Sequence, residues 1–352
     1  MNRKKVMKAA IKLDQRPEFI LQETEVPEPQ PDEALIKVKA AGLCGTDIAI
    51  RNNTFMGRHG PVQLPIIPGH EFCGEVVETG SKVRKVAVGE RVVTSAIKGC
   101  GQCYACEIGI YNRCQDWIHV GIDSPGCFAE YVITSEDILF KVPDTIPDEE
   151  AAVLEPLTTA VRAIRTNRVQ AGSFIVILGP GTFGLFILQS VLATGPSYVV
   201  MVGLSTDRDR LELAKSLGAN EIIMSDEMDP VKRGKELTKG KGADLVVEAT
   251  GRVEAVTQAI EMTGAGGLFL MGGSGFLGQP VSFEPWNVVR DEKRIKGLQG
   301  FTKPDYLLAL DLYHQGKIEI KPLISHVFKL EEINQACDLV EQKKAFKVVI
   351  IP

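Results

Sequence analysis

The sequence predicts an α/β protein of two domains, one β-rich and one built on a doubly wound parallel sheet, and three observations carry this reading. Residues up to about 156 are rich in β-branched segments bounded by glycine. From about Ala151 onward, strand and helix patterns alternate. A glycine-rich turn stands between the first strand of that second series and an apolar helix. At 352 residues, 44% hydrophobic and 24% charged, with 34 Gly and 19 Pro, the chain has ordinary globular composition and the length for two cores.

In the first region, strands are expected at 34–40, 75–79, 91–94 and 129–133. In the second, a strand at 174–178 leads to a helix from about Gly184, followed by strand 198–203, helix 207–217 and strand 221–224. Further strands at 244–248, 268–272 and 294–298, with helical stretches between them, extend a parallel sheet. The tail reads as helix 306–315, strand 324–329, helix 330–343 and strand 347–351, a pattern that by itself fits either domain.

Charge and hydropathy exclude several partners. Lys and Arg number 40 against 45 Asp and Glu, a net charge of −5, and no basic run exists to track a phosphate backbone. Nucleic acid is therefore not expected. The N-terminal segment carries Lys4, Lys5, Lys8 and Lys12 too closely spaced for the apolar stretch of a secretion signal, which points to the cytoplasm. The span 174–206 has no charged residue, but Gly179, Pro180, Gly181, Gly184, Gly195 and Pro196 divide it into pieces of strand and helix length, so it reads as a buried βαβ unit and not a membrane helix.

Of eight Cys, four lie in one short segment: Cys100, Cys103, Cys106 and Cys114. Two CxxC hops and a longer return suit a tetrahedral, fully thiolate-ligated zinc that staples a lobe and leaves no position for substrate. A second, mixed donor set is offered by Cys44-Gly45-Thr46-Asp47 and Gly69-His70-Glu71. Three protein ligands with an open position describe a catalytic zinc, while a His beside a Glu also serves as a simple polar pair, so local spacing leaves both readings open.

The strand at 174–178 runs into Gly179-Pro180-Gly181-Thr182-Phe183-Gly184 and then an apolar helix, the GxGxxG fingerprint in its strand-to-helix setting. Gly179 allows the tight turn, Gly181 the approach of a pyrophosphate, and Gly184 the packing of helix on strand. Thr182 and Phe183 of this loop, and Gly203, Ser205, Arg208 and Arg210 after the second strand, are expected to hold the dinucleotide. An acidic residue at the end of that strand would favour NAD by accepting from the ribose 2′-hydroxyl. Here the strand ends at Gly203, with Asp207 and Asp209 interleaved with Arg208 and Arg210. Either carboxylate recognition is displaced or an Arg receives a 2′-phosphate, and NAD and NADP both stay open.

With these four motifs in this order, the chain resembles the zinc-containing medium-chain dehydrogenase/reductase family over its whole length, most of all its sorbitol and L-threonine dehydrogenase branch. Glu155-Pro156-Leu157, the segment 125–131 and Leu323-Ile324-Ser325-His326 look like that branch too. The resemblance implies a GroES-like, mostly-β catalytic domain from 1–157 with 296–352 and a Rossmann NAD(P)-binding domain at 158–295, with the active site in the cleft between them. It implies two zinc ions per subunit, the catalytic one near Cys44, His70, Glu71 and Glu155, the last binding directly or through water. Thr46 is similar to the family's hydroxyl relay. The metal would ease loss of the substrate hydroxyl proton so that the carbon can release hydride to the nicotinamide. The expected substrate is a secondary alcohol in a polyol, cyclitol, sugar acid or amino alcohol, oxidised to its ketone by a homotetramer or dimer.

Two departures stand out. Where relatives pass the relay proton to a His, this chain has Ala49, and His59 in a nearby loop is a substitute to examine. Where relatives carry a substrate-contacting Arg, it has Gln299, Gly300 and Phe301, with Gln299 suited to hydroxyls and Phe301 to an apolar wall. An L-threonine 3-dehydrogenase is the alternative within the class, and a non-catalytic nucleotide-binding or structural protein the alternative outside it.

Overall fold

The computed structural model describes residues 5–273, 275–276 and 278–352. Contacts divide them into two compact units, one comprising the residues up to Glu155 with Gly300–Thr302 and Ile320–Pro352, the other Pro156–Gln299 with Lys303–Glu319. The segment 303–319 therefore groups with the second unit, although the sequence reading put all of 296–352 in the first.

The first unit opens with an antiparallel pair, β1 (Val6–Ile11) and β2 (Ile20–Glu25). A larger sheet follows from β3 (Glu33–Leu43), β4 (Glu71–Thr79), β5 (Arg91–Thr94), β8 (Tyr131–Ser135) and β9 (Leu139–Lys141), joined from the C-terminal end by β16 (Ile324–Lys329) and β17 (Lys347–Ile351). Its order is β16-β17-β3-β4-β5-β9, with β8 also paired to β3. Only β16 and β17 run parallel; the remaining pairs are antiparallel. The short strands β6 (Ile97–Lys98) and β7 (Ile118–His119) pair with each other at the base of the cysteine segment. Ile36, Val38, Phe72, Val76, Val92, Phe128, Val132, Val348 and Ile350 fill the core.

Two strands run further than hydrophobic alternation suggests. β3 continues past residue 40 through Ala41, Gly42 and Leu43, and β4 begins at Glu71 instead of 75. Small residues and a buried charge carry no period-two signal, yet the ladder extends until Gly42 stands opposite Glu71. That extension builds the site described below.

The second unit is a six-stranded parallel sheet of order β12-β11-β10-β13-β14-β15. Its strands are β10 (Phe174–Leu178), β11 (Tyr198–Gly203), β12 (Glu221–Met224), β13 (Ala243–Glu248), β14 (Thr263–Met271) and β15 (Arg294–Gly297). In order of appearance this is 3-2-1-4-5-6, the doubly wound arrangement. Val176, Val200, Val202, Val246 and Phe269 are buried because helices cover the sheet's faces, which is why the inner strands read as apolar runs without alternation. No helix among the described residues is long and apolar enough to cross a membrane.

A buried charge cluster explains where residues 303–319 pack. Asp305, at the start of helix Lys303–His314, is fully buried and pairs with Arg162 at 2.8 Å and with Arg165, both on the helix Leu154–Asn167. The Gln189 amide then bonds both backbone groups of Glu319, accepting at 2.7 Å and donating at 3.1 Å. Complementary partners about 140 residues apart leave no local pattern. Removing the acid breaks both buried ion pairs and leaves positive charge uncompensated there, so Asp305→Ala should cost about 3–5 kcal/mol and lower the urea midpoint of this unit; an unchanged midpoint would contradict the assignment.

Candidate active site

The mixed donor set assembles where two strands meet a short helix. β3 delivers the chain at Leu43 to Cys44, whose extended backbone (φ −105°) caps the helix Gly45–Arg51. Asp47, in that helix's first turn, accepts a hydrogen bond from the Cys44 N–H at 2.9 Å and so fixes how the chain turns. His70 immediately precedes β4 and Glu71 opens it. The donor atoms of Cys44, His70 and Glu71 all lie within 4.8 Å of one another.

Gly42 makes this approach possible. A Cβ there would overlap the Glu71 carboxylate and stand 3.1 Å from Lys347 Cε. Lys347, the first residue of β17, places Nζ 2.5 Å from Glu71 Oε2 and donates to the Leu43 carbonyl at 2.9 Å. Both side chains are almost inaccessible, Lys347 3% and Glu71 1% exposed. Burial opposes charge on Lys347, but the neighbouring Glu71 and Cys44 outweigh it and raise its pKa. Neither partner could be buried here alone.

His70 is held similarly. Its Nδ1 faces Asp47 Oδ1 at 3.6 Å, and both atoms are buried without a hydrogen bond. A carboxylate behind one ring nitrogen directs the other toward a metal, as in carboxylate–histidine–metal arrangements. Burial alone would lower the His70 pKa, but Asp47 and Cys44 raise it well above the ordinary value. His119 packs edge-on against His70 with ring centroids 5.1 Å apart, and its Nδ1 lies 2.8 Å from the Val120 carbonyl. Burial, with His70 adding to it, pushes its pKa down to about 3, so it is a neutral wall beside the donor set.

Glu155 is outside the tight donor cluster but close enough to interact electrostatically with Glu71, His70 and Lys347. Part of its surface stays open, yet crowding by protein and then the nearby Glu71 charge push its pKa up to about 7. Thr46, two residues beyond Cys44, is partly exposed in the first turn of the helix. Thiolate, imidazole and carboxylate donors backed by Asp47 and Lys347 fit zinc by chemistry.

The second donor set is all sulfur. Cys100, Cys103, Cys106 and Cys114 also group within 4.8 Å, with Cys103 and Cys106 Sγ 3.6 Å apart. Tetrahedral zinc with thiolates at ~2.3 Å would set sulfurs about 3.8 Å apart, so the spacing fits. Backbone N–H groups of Gln102 and Cys103 lower the Cys100 pKa to about 7, favouring a thiolate. Among the described residues, the buried apolar cluster of this lobe is Ile97, Cys114 and Trp117, too little to hold it without a staple.

In the second unit, the N–H of Gly179 (φ +107°) donates to the Val202 carbonyl at 2.8 Å, Gly181 caps the helix Thr182–Leu192, and a Cβ on Gly184 would collide with the Gly179 carbonyl. The N-terminal turn of this helix, with its aligned backbone dipoles, suits a pyrophosphate. Gly203 ends β11, Ser205 opens the following turn, and Arg208 and Arg210 lie on helix Arg208–Ser216.

One sequence expectation needs correction. Phe301 is no pocket wall: it is 1% exposed and packs 6.0 Å from the Phe140 ring in the first unit. His59 is an exposed loop histidine with Nε2 3.0 Å from the Trp117 carbonyl, beside the Arg58 guanidinium that stacks on the Trp117 ring. Sequence reasoning also missed Lys347, whose only signal was a charged residue opening an otherwise apolar strand.

Because Gly42 leaves the room Glu71 occupies, Gly42→Ala should displace that carboxylate and cost the mixed site its metal first. Zinc retained after mild chelation should fall from about two per chain to about one. Retention of both would show that Glu71 is not a required donor.

Comparison with known proteins agrees with this geometry. Residues 30–144 match the family model described as alcohol dehydrogenase GroES-like domain, and residues 183–315 that described as zinc-binding dehydrogenase. The chain is 34% identical to a sorbitol dehydrogenase from Halalkalibacterium halodurans, covering 95% of this chain and 96% of that protein. It is also 34% identical to an L-threonine 3-dehydrogenase from Bacillus licheniformis, covering 98% and 99%. Among solved structures, a zinc-binding dehydrogenase from Sinorhizobium meliloti bound to NADP superposes with a TM-score of 0.91 at 31% identity, covering 99% of this chain and 100% of the other. Kinship of this extent places the chain in the zinc-containing medium-chain alcohol dehydrogenase family, as an NAD(P)-dependent zinc alcohol/polyol dehydrogenase.

Proposed function

We propose that the protein reversibly oxidises the secondary hydroxyl of a polyol, cyclitol, sugar acid or amino alcohol to the ketone, passing hydride to NAD(P). The observation that carries this is the buried cluster of Cys44, His70 and Glu71 donors in a chain that also has a dinucleotide loop. Cys44, His70 and Glu71 would hold zinc, which when bound would supply a Lewis acid that lowers the proton affinity of the substrate hydroxyl. Asp47 backs the His70 ring at 3.6 Å, Lys347 holds the Glu71 carboxylate, and Glu155, near enough to feel the Glu71 charge, would join the metal directly or through water. Thr46 takes the hydroxyl proton and passes it toward the cofactor ribose, while Ala49 offers no group beyond it. The four-cysteine site, closed by its own ligands, keeps a structural role.

Sorbitol and L-threonine, named for two relatives, each carry a secondary hydroxyl next to another polar group, which supports this substrate class. Gln299, Gly300 and Phe301 stand where an Arg would bind an amino-acid carboxylate, which disfavours L-threonine itself. A purely structural protein would have no use for a carboxylate, a thiolate and an imidazole whose donor atoms converge within 4.8 Å.

The test is a screen for nicotinamide reduction by zinc-loaded protein with NAD and NADP, across polyols, cyclitols, sugar acids, L-threonine and simple secondary alcohols. On the substrate found, Cys44→Ser and His70→Ala should each lower kcat by about a thousandfold or more, with nucleotide affinity changed less than about threefold. Wild-type turnover by both variants would sink the assignment of the mixed site.

A further inference from the structure

Nucleotide choice in a doubly wound sheet is set where the second strand ends, because the adenosine ribose lies there. In this chain no side chain fits at that point. A Cβ on Gly203 would stand 2.9 Å from Pro180 Cγ, 3.0 Å from Pro180 Cδ and 3.2 Å from Leu211 Cδ2, so the glycine loop itself occupies the place of an acidic residue. Any carboxylate reaching the ribose must come from another element.

The neighbouring strand brings one. β12 runs parallel to β11 with Met224 beside Gly203, and the Ser225 N–H and hydroxyl both donate to the Gly203 carbonyl, at 2.8 and 3.1 Å. The chain is thereby tied down just as it leaves the sheet, and the next residue is Asp226. Its Oδ1 accepts from the Ser205 N–H at 2.8 Å and its Oδ2 from the Ser205 hydroxyl. Those two donors hold the Asp226 carboxyl below the usual carboxylate range, so it is ionised at neutral pH.

Three of the other charged groups along this turn, Asp207, Arg208 and Arg210, are engaged elsewhere, and Asp209 is exposed on the following helix. Asp207 is buried and accepts from the Leu204 N–H at 3.2 Å, closing the turn. Arg208 turns to Met224 Sδ at 3.6 Å and lies 4.0 Å from Glu227. Burial lowers the Arg210 pKa and Asp207 opposes that shift, so the charge of Arg210 has a carboxylate close by. The N–H and hydroxyl of Ser205, which together would make a place for a phosphate, are already bound to a carboxylate.

We infer that Asp226 selects NAD over NADP, its carboxylate accepting from the adenosine ribose hydroxyls and repelling a 2′-phosphate. It does from the end of the third strand what an acidic residue at the end of the second does elsewhere. The inference rests on the dinucleotide reading of the Gly179–Gly184 loop and names the nucleotide that reading leaves open.

Fluorescence titration of NADH and NADPH into the whole chain tests it without turnover, substrate or zinc. The wild-type protein should bind NADH at least about tenfold more tightly than NADPH. Asp226→Asn should erase most of that preference, chiefly by strengthening NADPH, and Asp226→Ser, which offers phosphate a hydroxyl, should carry the ratio further in the same direction. Asp226 is exposed, so both variants should fold with the wild-type circular dichroism spectrum. A wild-type preference for NADPH, or a ratio unmoved in both variants, overturns the role of Asp226 and leaves the dinucleotide reading intact. Failure of either nucleotide to bind the wild-type protein overturns that reading and the inference with it.

Discussion

The mixed site depends on a buried ion pair that three strands must agree to build. Glu71 and Lys347 enter the interior from β4 and β17, on either side of β3, and face each other across the one residue of β3 that lacks a side chain, Gly42. A carboxylate with no exposure is costly to bury, and Lys347 offsets that cost by supplying a charge and a donor. Because strand faces alternate with period two, slipping either pairing by one residue would turn Glu71 or Lys347 away from the other. Cys44 at the exit of β3 and His70 at the entry of β4 take their positions from the same register.

Much of this could be read from the residues before any coordinates. The four-cysteine spacing, the GxGxxG turn and the alternating strands and helices between 174 and 271 all carry local signals, since each depends on neighbours within a few residues. What could not be read is what forms between distant segments. Lys347 sits in the apolar strand Lys347–Ile351 and gains meaning only when β17 pairs with β3. Asp305 groups residues 303–319 with the second unit through Arg162 and Arg165. Phe301 illustrates the opposite error: an aromatic at a position associated with substrate contact proved to be core, because nothing local distinguishes the two.

The two donor sets divide the chemistry by their completeness. Four thiolates satisfy a tetrahedral metal and leave it nothing to do except hold together a lobe whose buried apolar cluster, among the described residues, is Ile97, Cys114 and Trp117. Cys44, His70 and Glu71 leave room for another ligand, and each is restrained from behind or beside by a group that cannot itself ligate or is turned away. The nucleotide loop follows the same logic, since glycines at 179, 184 and 203 remove side chains so that backbone and neighbouring strands can come close. At 203 that closeness excludes an acidic side chain from the strand end and leaves the carboxylate to Asp226.

We propose that one chain holds two zinc ions in chemically different shells. Zinc X-ray absorption on the loaded wild-type protein measures this directly, since sulfur and nitrogen or oxygen scatterers separate in distance. Averaging a four-sulfur site with a site of one sulfur, one nitrogen and oxygens predicts about 2.5 sulfur neighbours per zinc at ~2.3 Å, the rest lighter atoms at about 2.0–2.2 Å. A single zinc per chain with an all-sulfur shell would contradict the account, leaving Cys44, His70 and Glu71 as a buried polar cluster with no metal to hold.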